Sequence, residues 1–272
     1  MKYLTHLLLA LATTTFCSAQ ERTLPKEIAP KLDSNLDQAS QMLMPTSKLL
    51  GTNVKDSDGE VCGEINSFVF DNAGQVHYVI LGVGGVAGVG ESQVALPWSA
   101  FKCKCTVADG KMTCHPMVSM PTKQLSSAPL LKGKNYIELT DAEWAAKNSS
   151  FFRVDKPVSP ITATSMVCTS KVIDTTVKSG AESVGDLDEL MVQNGSGQIK
   201  FAVVGFGGVA NVGKTYVALP FKSLNFTSKE DKTTVNVNET PTQVQAATKV
   251  TPNEYPELNL KSVAERAGKV KQ

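Results

Sequence analysis

The chain has 272 residues, 42% of them apolar, with 27 basic and 26 acidic side chains for a formal net charge of +1. That length accommodates two domains with separate cores. The near-zero balance and interspersed charges argue against a nucleic-acid surface, which needs a concentrated basic face to displace counterions from phosphates.

Residues 1–19 have one early cation, Lys2, an apolar centre from Leu7 to Ala12 and a small-residue ending, Cys17-Ser18-Ala19. This pattern predicts a secretory signal peptide cleaved after Ala19, and hence an exported protein, periplasmic or extracellular. The apolar centre is too short to anchor the chain across a bilayer, so no membrane span is expected after cleavage. The bulky Phe16 beside Cys17 argues against lipid modification there. Residues 20–45 read as a polar leader with a short helix from Asp33 to Leu43, capped by Asp33 or Ser34 and ended by Pro45.

A first domain is expected over residues 46–120. Leu49 and Leu50 open a short strand, and Asp56-Ser57-Asp58-Gly59 turns the chain. Val61–Asp71 forms a strand with Ile65 and Phe68 inward, followed by a strand with Val76, Tyr78 and Ile80 on one face. His77 falls on the opposite face and is expected to meet water. Lys102–Val118 reads as a hairpin about Asp109-Gly110, whose two-residue loop sets Ala108 opposite Lys111, Val107 opposite Met112 and Cys105 opposite Cys114. Residues 121–165 are expected to be a helical, Pro/Ser-rich linker, with helical pieces at Thr122–Leu131 and Asp141–Lys147, the second capped by Thr140. A second domain over residues 166–239 and a polar tail over residues 240–272 complete the chain. The tail is expected to be frayed or loosely docked, with a short helix at Leu260–Ala267.

The two domains are copies of one design. Val76–Trp98 reads VHYVILGVGGVAGVGESQVALPW, and 123 positions later Ile199–Phe221 reads IKFAVVGFGGVANVGKTYVALPF. Ser47-Lys48-Leu49-Leu50 likewise matches Ser170-Lys171-Val172-Ile173. In each copy a β-branched run meets a glycine-rich turn and a second apolar run closed by Ala-Leu-Pro and an aromatic, which reads as two paired strands. The pattern Leu50-Gly51-Thr52-Asn53-Val54, Asp58-Gly59-Glu60, Gly63-Glu64-Ile65, Gly84-Gly85 and Val94-Ala95-Leu96-Pro97-Trp98 resembles the PRC-barrel family. That family is the small all-β module of the photosynthetic reaction-centre H subunit and of a ribosome maturation factor. The second copy departs from it, with Asp174 in place of the early glycine and no Asp-Gly turn. Pro121–Pro129 resembles a segment that often follows the barrel in exported bacterial members, and Thr240–Ala247 echoes it. The resemblance implies an all-β fold of two tandem small barrels with short helical segments in leader, linker and tail. It implies protein partners and no shared catalytic residues.

Candidate chemistry is sparse. Gly82, Gly84, Gly85, Gly88 and Gly90 lead into a strand rather than a helix N-terminus, so they read as a turn and not a phosphate loop; Gly207 and Gly208 repeat Gly84 and Gly85. Cys103, Cys105, Cys114 and His115 make a poor zinc set, because the spacing is short and His115 points away from the face carrying the thiols. A Cys105–Cys114 disulfide suits opposed strand positions, with Cys62, Cys103 and Cys168 left to compete for any second bridge. Asp56–Glu60 lacks the later ligands of a calcium loop. After processing only His77 and His115 remain as histidines, and no serine sits in a nucleophile elbow, so neither catalysis nor a cofactor or metal is expected.

The sequence thus predicts a non-catalytic binding or scaffolding protein of the cell envelope, using strand edges and an aromatic rim at Trp98 and Phe221. Two other arrangements bear on that rim: the repeats packing as a pseudo-twofold pair, which would bury Trp98 and Phe221 between them, and a homodimer. The competing class is a thiol-redox or metal-handling protein built on Cys103, Cys105 and Cys114.

Overall fold

The computed structural model describes residues 40–84, 90–109, 111–133, 135–156, 158–208, 213–229 and 232–252. The predicted signal peptide, most of the leader, Gly85 and the tail beyond Pro252 lie outside these. All described residues belong to one compact unit, Asp37–Gln272.

The β-branched runs form strands as their alternation requires, and each repeat builds one eight-stranded sheet. In repeat 1 the strands are β2 (Asn53–Lys55), β3 (Val61–Phe70), β4 (Val76–Val83), β5 (Ser92–Pro97), β6 (Phe101–Ala108), β7 (Lys111–Val118) and β8 (Leu130–Leu131). Their spatial order is β6-β7-β2-β3-β4-β5-β8. A register shift between Ile65 and Ser67 turns both Ile65 and Phe68 into the core despite their odd spacing. Repeat 2 supplies β10 (Thr176–Ser179), β11 (Glu182–Gln193), β12 (Ile199–Phe206), β13 (Thr215–Pro220), β14 (Leu224–Lys229), β15 (Lys232–Val237) and β16 (Thr248–Val250). They follow the same order, β14-β15-β10-β11-β12-β13-β16.

The eighth strand of each sheet comes from the other repeat. β1 (Leu43–Pro45) precedes repeat 1 but pairs antiparallel with β11 of repeat 2, Leu43 opposite Gln193. β9 (Val167–Cys168) precedes repeat 2 but pairs with β3 of repeat 1, Cys168 opposite Val69. The exchange is reciprocal, so the two repeats pack as a pseudo-twofold pair. Its axis passes near an antiparallel bridge between the equivalent residues Gln75 and Gln198. Beside that bridge the Val76 amide donates to the Gly197 carbonyl at 2.9 Å and the Ile199 amide to the Gly74 carbonyl at 2.8 Å. One continuous apolar core runs through both repeats, with Phe70 of the first edge-on to Phe221 and Phe226 of the second at 5.8 and 5.5 Å.

Several local expectations are corrected. Leu43 opens a strand rather than ending a helix, because its backbone is taken up by β11. Leu49 closes a helical turn, α1 (Thr46–Leu49), instead of starting a strand. Helix α2 is confined to Thr122–Leu125, and Leu130–Leu131 pairs with β5 as a strand. The longer helix of the linker, α3 (Ala142–Phe151), is capped by the Asp141 carboxylate, which accepts the Trp144 amide at 2.7 Å, not by Thr140. The linker is not a tether. Its Leu139 and Asn148 are buried, and Asn148 Nδ2 donates to the Ala95 carbonyl of β5 at 3.0 Å.

Candidate functional site

Trp98 and Phe221 close equivalent strands, and the seam between the repeats consumes both. They are 8% and 4% exposed. Trp98 lies against Gly197 of repeat 2 and Phe221 against Gly74 of repeat 1; a Cβ on either glycine would fall 2.6–2.7 Å from the facing ring. The expectation of an exposed aromatic rim is therefore wrong, because the strand-end aromatics find apolar cover in the partner repeat and gain more by burial there than in water. The pseudo-twofold arrangement is the one the chain adopts.

The exchanged segments are pinned by hydroxyl clusters at equivalent positions. Thr46 Oγ1, the Ser47 amide and the Leu190 amide each donate to Glu189 Oε1 at 2.9 Å, and Ser47 Oγ donates to Oε2. Glu189 is buried, and burial pushes its pKa up against the opposing pull of these donors. In repeat 1 the same place is held by Ser67, whose Oγ accepts from Ser170 Oγ at 3.0 Å, while Thr169 Oγ1 accepts the Phe68 amide at 2.8 Å. Thr46-Ser47 and Thr169-Ser170 are duplicated residues, so each α1-type turn locks itself into the opposite sheet. Sequence reading missed Glu189, although the acidic pair Asp188-Glu189 between apolar residues in Leu187–Met191 was the available signal.

The β6–β7 hairpin has the expected register, Ala108 opposite Lys111 and Cys105 opposite Cys114. Those two cysteines form a disulfide with Cα atoms 4.0 Å apart. Asp109 takes φ +52° at the turn, and Gly110 lies outside the described residues. Cys103 Sγ sits 3.6 Å from Cys105 Sγ, so the three sulfurs form one cluster. The Cys103 thiol is buried, which pushes its pKa up to about 12, while Cys62 and Cys168 are buried and raised to about 11. Burial disfavours the thiolate that would attack a disulfide at all three. No second bridge joins the described cysteines.

The hairpin occupies one edge of its sheet. Its outward face pairs Lys102 with Met117, Lys104 with His115 and Thr106 with Thr113. Met117 is 41% exposed there, while Val107, 44% exposed, lies on the opposite face with Cys105. Asn194 Nδ2 reaches the β6 edge, donating to the Cys103 carbonyl at 2.9 Å.

The remaining candidates have structural employment. Gly84, Gly207 and Gly208 adopt φ of +70° to +77°, the left-handed conformation a tight strand connection requires; Gly85 is outside the described residues. Asp56 Oδ1 accepts the Asp58 and Glu60 amides, and its Oδ2 accepts the Thr122 amide and hydroxyl at 2.9 and 2.6 Å. Thr122's two donors are the main reason its pKa falls to about 2. His77 is half-buried and bonded to Asp71 at 2.9 Å rather than free in water. A cavity of about 450 Å³, which no motif signalled, lies where the linker meets β9 and the β14–β15 hairpin, lined by Asn135, Cys168, Lys171, Ser228 and Thr233.

A sequence profile of the PRC-barrel domain matches residues 43–119 and again residues 168–240, more than half of the chain. The chain belongs to the PRC-barrel domain family. The two matches cover most strands of the two repeats, so this family member carries two PRC-barrel-like domains in tandem. A search of curated proteins finds no match to it. Among the described residues no helix is long and apolar enough to cross a membrane.

Proposed function

We propose that this protein is a non-catalytic, exported binding or scaffolding protein that docks onto a protein assembly of the cell envelope. The observation that carries the reading is the stapled hairpin. The repeats spend their strand-end aromatics on each other, while β6 and β7 are held by Cys105–Cys114 at a sheet edge and present Lys102, Lys104, His115 and Met117 on one face. An edge strand with an apolar side chain beside lysines suits strand-to-strand docking of a partner segment carrying acidic residues. The disulfide suits an oxidising compartment, as the signal-like segment before Gln20 does. The pseudo-twofold surface is already satisfied within one chain, which favours a different protein over a second copy as the partner. The thiol-redox and metal-handling alternative is disfavoured because Cys105 and Cys114 are bonded to each other and Cys103 is buried.

The test is crosslinking capture from the native envelope with the mature chain, Gln20 onward, beside a Lys104→Glu/Met117→Glu double variant. A defined protein captured by the wild type and lost in a variant of unchanged thermal melt is the expected result. Equal capture by both overturns the hairpin assignment, and no specific capture overturns the binding reading. Amino-terminal sequencing of the protein from the envelope fraction should begin at Gln20; a cytoplasmic, unprocessed chain overturns export.

A further inference from the structure

The cavity of about 450 Å³ where the linker meets repeat 2 is rich in hydrogen-bond donors and holds one charge. Lys171, in the helical turn Thr169–Val172, is the one charged side chain among its described lining residues, and none of them is a carboxylate. Lys171 Nζ donates to Asn135 Oδ1 at 3.3 Å. That bond engages the Asn135 oxygen and leaves its amide nitrogen to spare. Among the described residues no acceptor takes the Asn135 Nδ2 hydrogens, the Thr164 hydroxyl or the remaining hydrogens of Lys171. The two hydroxyls of the β14–β15 hairpin are differently placed: Ser228 Oγ donates to the Met166 carbonyl at 3.3 Å and lies 3.0 Å from Thr233 Oγ1, directly across the strand pair. Their hydrogens are used up in bracing the wall.

The rest of the lining is apolar. Ile137, Ala163 and Met166 contribute to it, and Ile137 is 62% exposed, so a ligand that covered it would remove apolar surface from water. The field of the lysine reaches the buried wall as well. Burial raises the Cys168 thiol to a pKa of about 11, and the Lys171 ammonium works against that rise. The volume falls within the roughly 300–1,000 Å³ of small-molecule sites, which likewise combine apolar walls with a few converging polar groups. We propose that this cavity binds a small monocarboxylate with a short aliphatic chain, its carboxylate on Lys171 Nζ and Asn135 Nδ2 and its chain against Ile137 and Met166.

The donor set selects this class over its neighbours. A carboxylate has two oxygens that accept together from an ammonium and an adjacent amide, and its single charge is matched by the single lysine. A dianionic phosphate would bring one charge more than Lys171 neutralises, and a cation would be repelled by it. An uncharged alcohol of the same length would fill the apolar wall but forgo the charge-assisted hydrogen bond. Repeat 1 offers no copy of the wall, since Cys105 and Cys114, bridged to each other, hold the positions that Ser228 and Thr233 hold in repeat 2. The site therefore belongs to the second repeat and to the linker that reaches it.

The experiment titrates sodium hexanoate into the isotope-labelled full-length chain and follows its backbone amides by NMR. Saturable shifts centred on Asn135, Met166, Lys171 and Ser228 are expected. Lys171→Met should weaken hexanoate binding about tenfold or more, as loss of a charge-assisted hydrogen bond requires, whereas Lys48→Met at the duplicated position of repeat 1 should leave it unchanged. Ala163→Trp, at an exposed position, should fill the cavity with Lys171 still present and abolish binding. Unchanged binding in Lys171→Met or Ala163→Trp overturns the proposal. So does equal binding of hexanol or of inorganic phosphate, or the absence of any saturable shift. The readout needs no envelope partner, so failure here is distinguishable from failure of the docking proposal.

Discussion

Gly197 lies flat against the indole of Trp98 across the seam between the repeats, at φ +71° and with room for no Cβ. Alanine there meets Trp98 Cδ1 at 2.7 Å and also adopts a backbone conformation that L-residues avoid. Overpacking and strain together should cost Gly197→Ala about 2–4 kcal/mol, and Gly74→Ala, which faces Phe221, a similar amount. Trp98→Ala should cost about 3–5 kcal/mol as a core truncation. Urea unfolding measures all three, and wild-type stability in the glycine variants would contradict the seam.

Glu189 holds the turn that carries the exchanged strand, and its ionisation is linked to stability. Burial raises its pKa in the folded state above the usual 4.5. Its stabilising share is therefore fully present below that usual value and is lost as pH rises through the folded pKa. Glu189→Gln should flatten the decline in unfolding free energy as pH rises above 4.5. Glu189→Ala leaves the donors of Thr46, Ser47 and Leu190 unpaired and should cost about 3 kcal/mol or more. A Gln variant with the wild-type pH slope would show that another group governs it.

Cysteine accessibility gives a direct count. In a chain starting at Gln20, Cys62, Cys103 and Cys168 are buried thiols and Cys105–Cys114 is bridged. A thiol reagent at pH 8 should find no reactive group in the native protein and three after denaturation without reductant. Fast labelling of Cys103 in the native state would revive the thiol-redox reading. Replacing both Cys105 and Cys114 with serine should cost about 2–3 kcal/mol, the amount expected for a short closed loop.

Asp56 ties the turn before β3 to the start of the linker through Thr122. Its pKa, lowered to about 2 chiefly by the Thr122 hydroxyl and amide, means a stabilising share present above the usual 3.8 and lost as pH falls through about 2. Asp56→Ala should lower the melting temperature at pH 7, and the gap from wild type should close on acidification toward pH 2. A constant gap across that range would show that the Thr122 contact contributes through packing rather than charge.

The duplication, the strand pairs of each copy and the register that joins Cys105 to Cys114 were all legible in the residues alone. Period-two alternation, Asp-Gly turns and closing prolines act over a few neighbouring residues, so they survive without knowledge of the rest of the molecule. Tertiary structure decided which sheet Leu43–Pro45 and Val167–Cys168 join. Strands of three and two residues carry no pattern of their own, and the opposite repeat offers the same kind of edge as the home repeat. It also decided that Trp98 and Phe221 are core: an aromatic at a strand end reads identically whether it rims a barrel or fills a seam, until the glycine of another repeat arrives to cover it. Glu189 belongs to the same class, since only the arrival of Thr46 and Ser47 from far along the chain makes a buried carboxylate tolerable at that point.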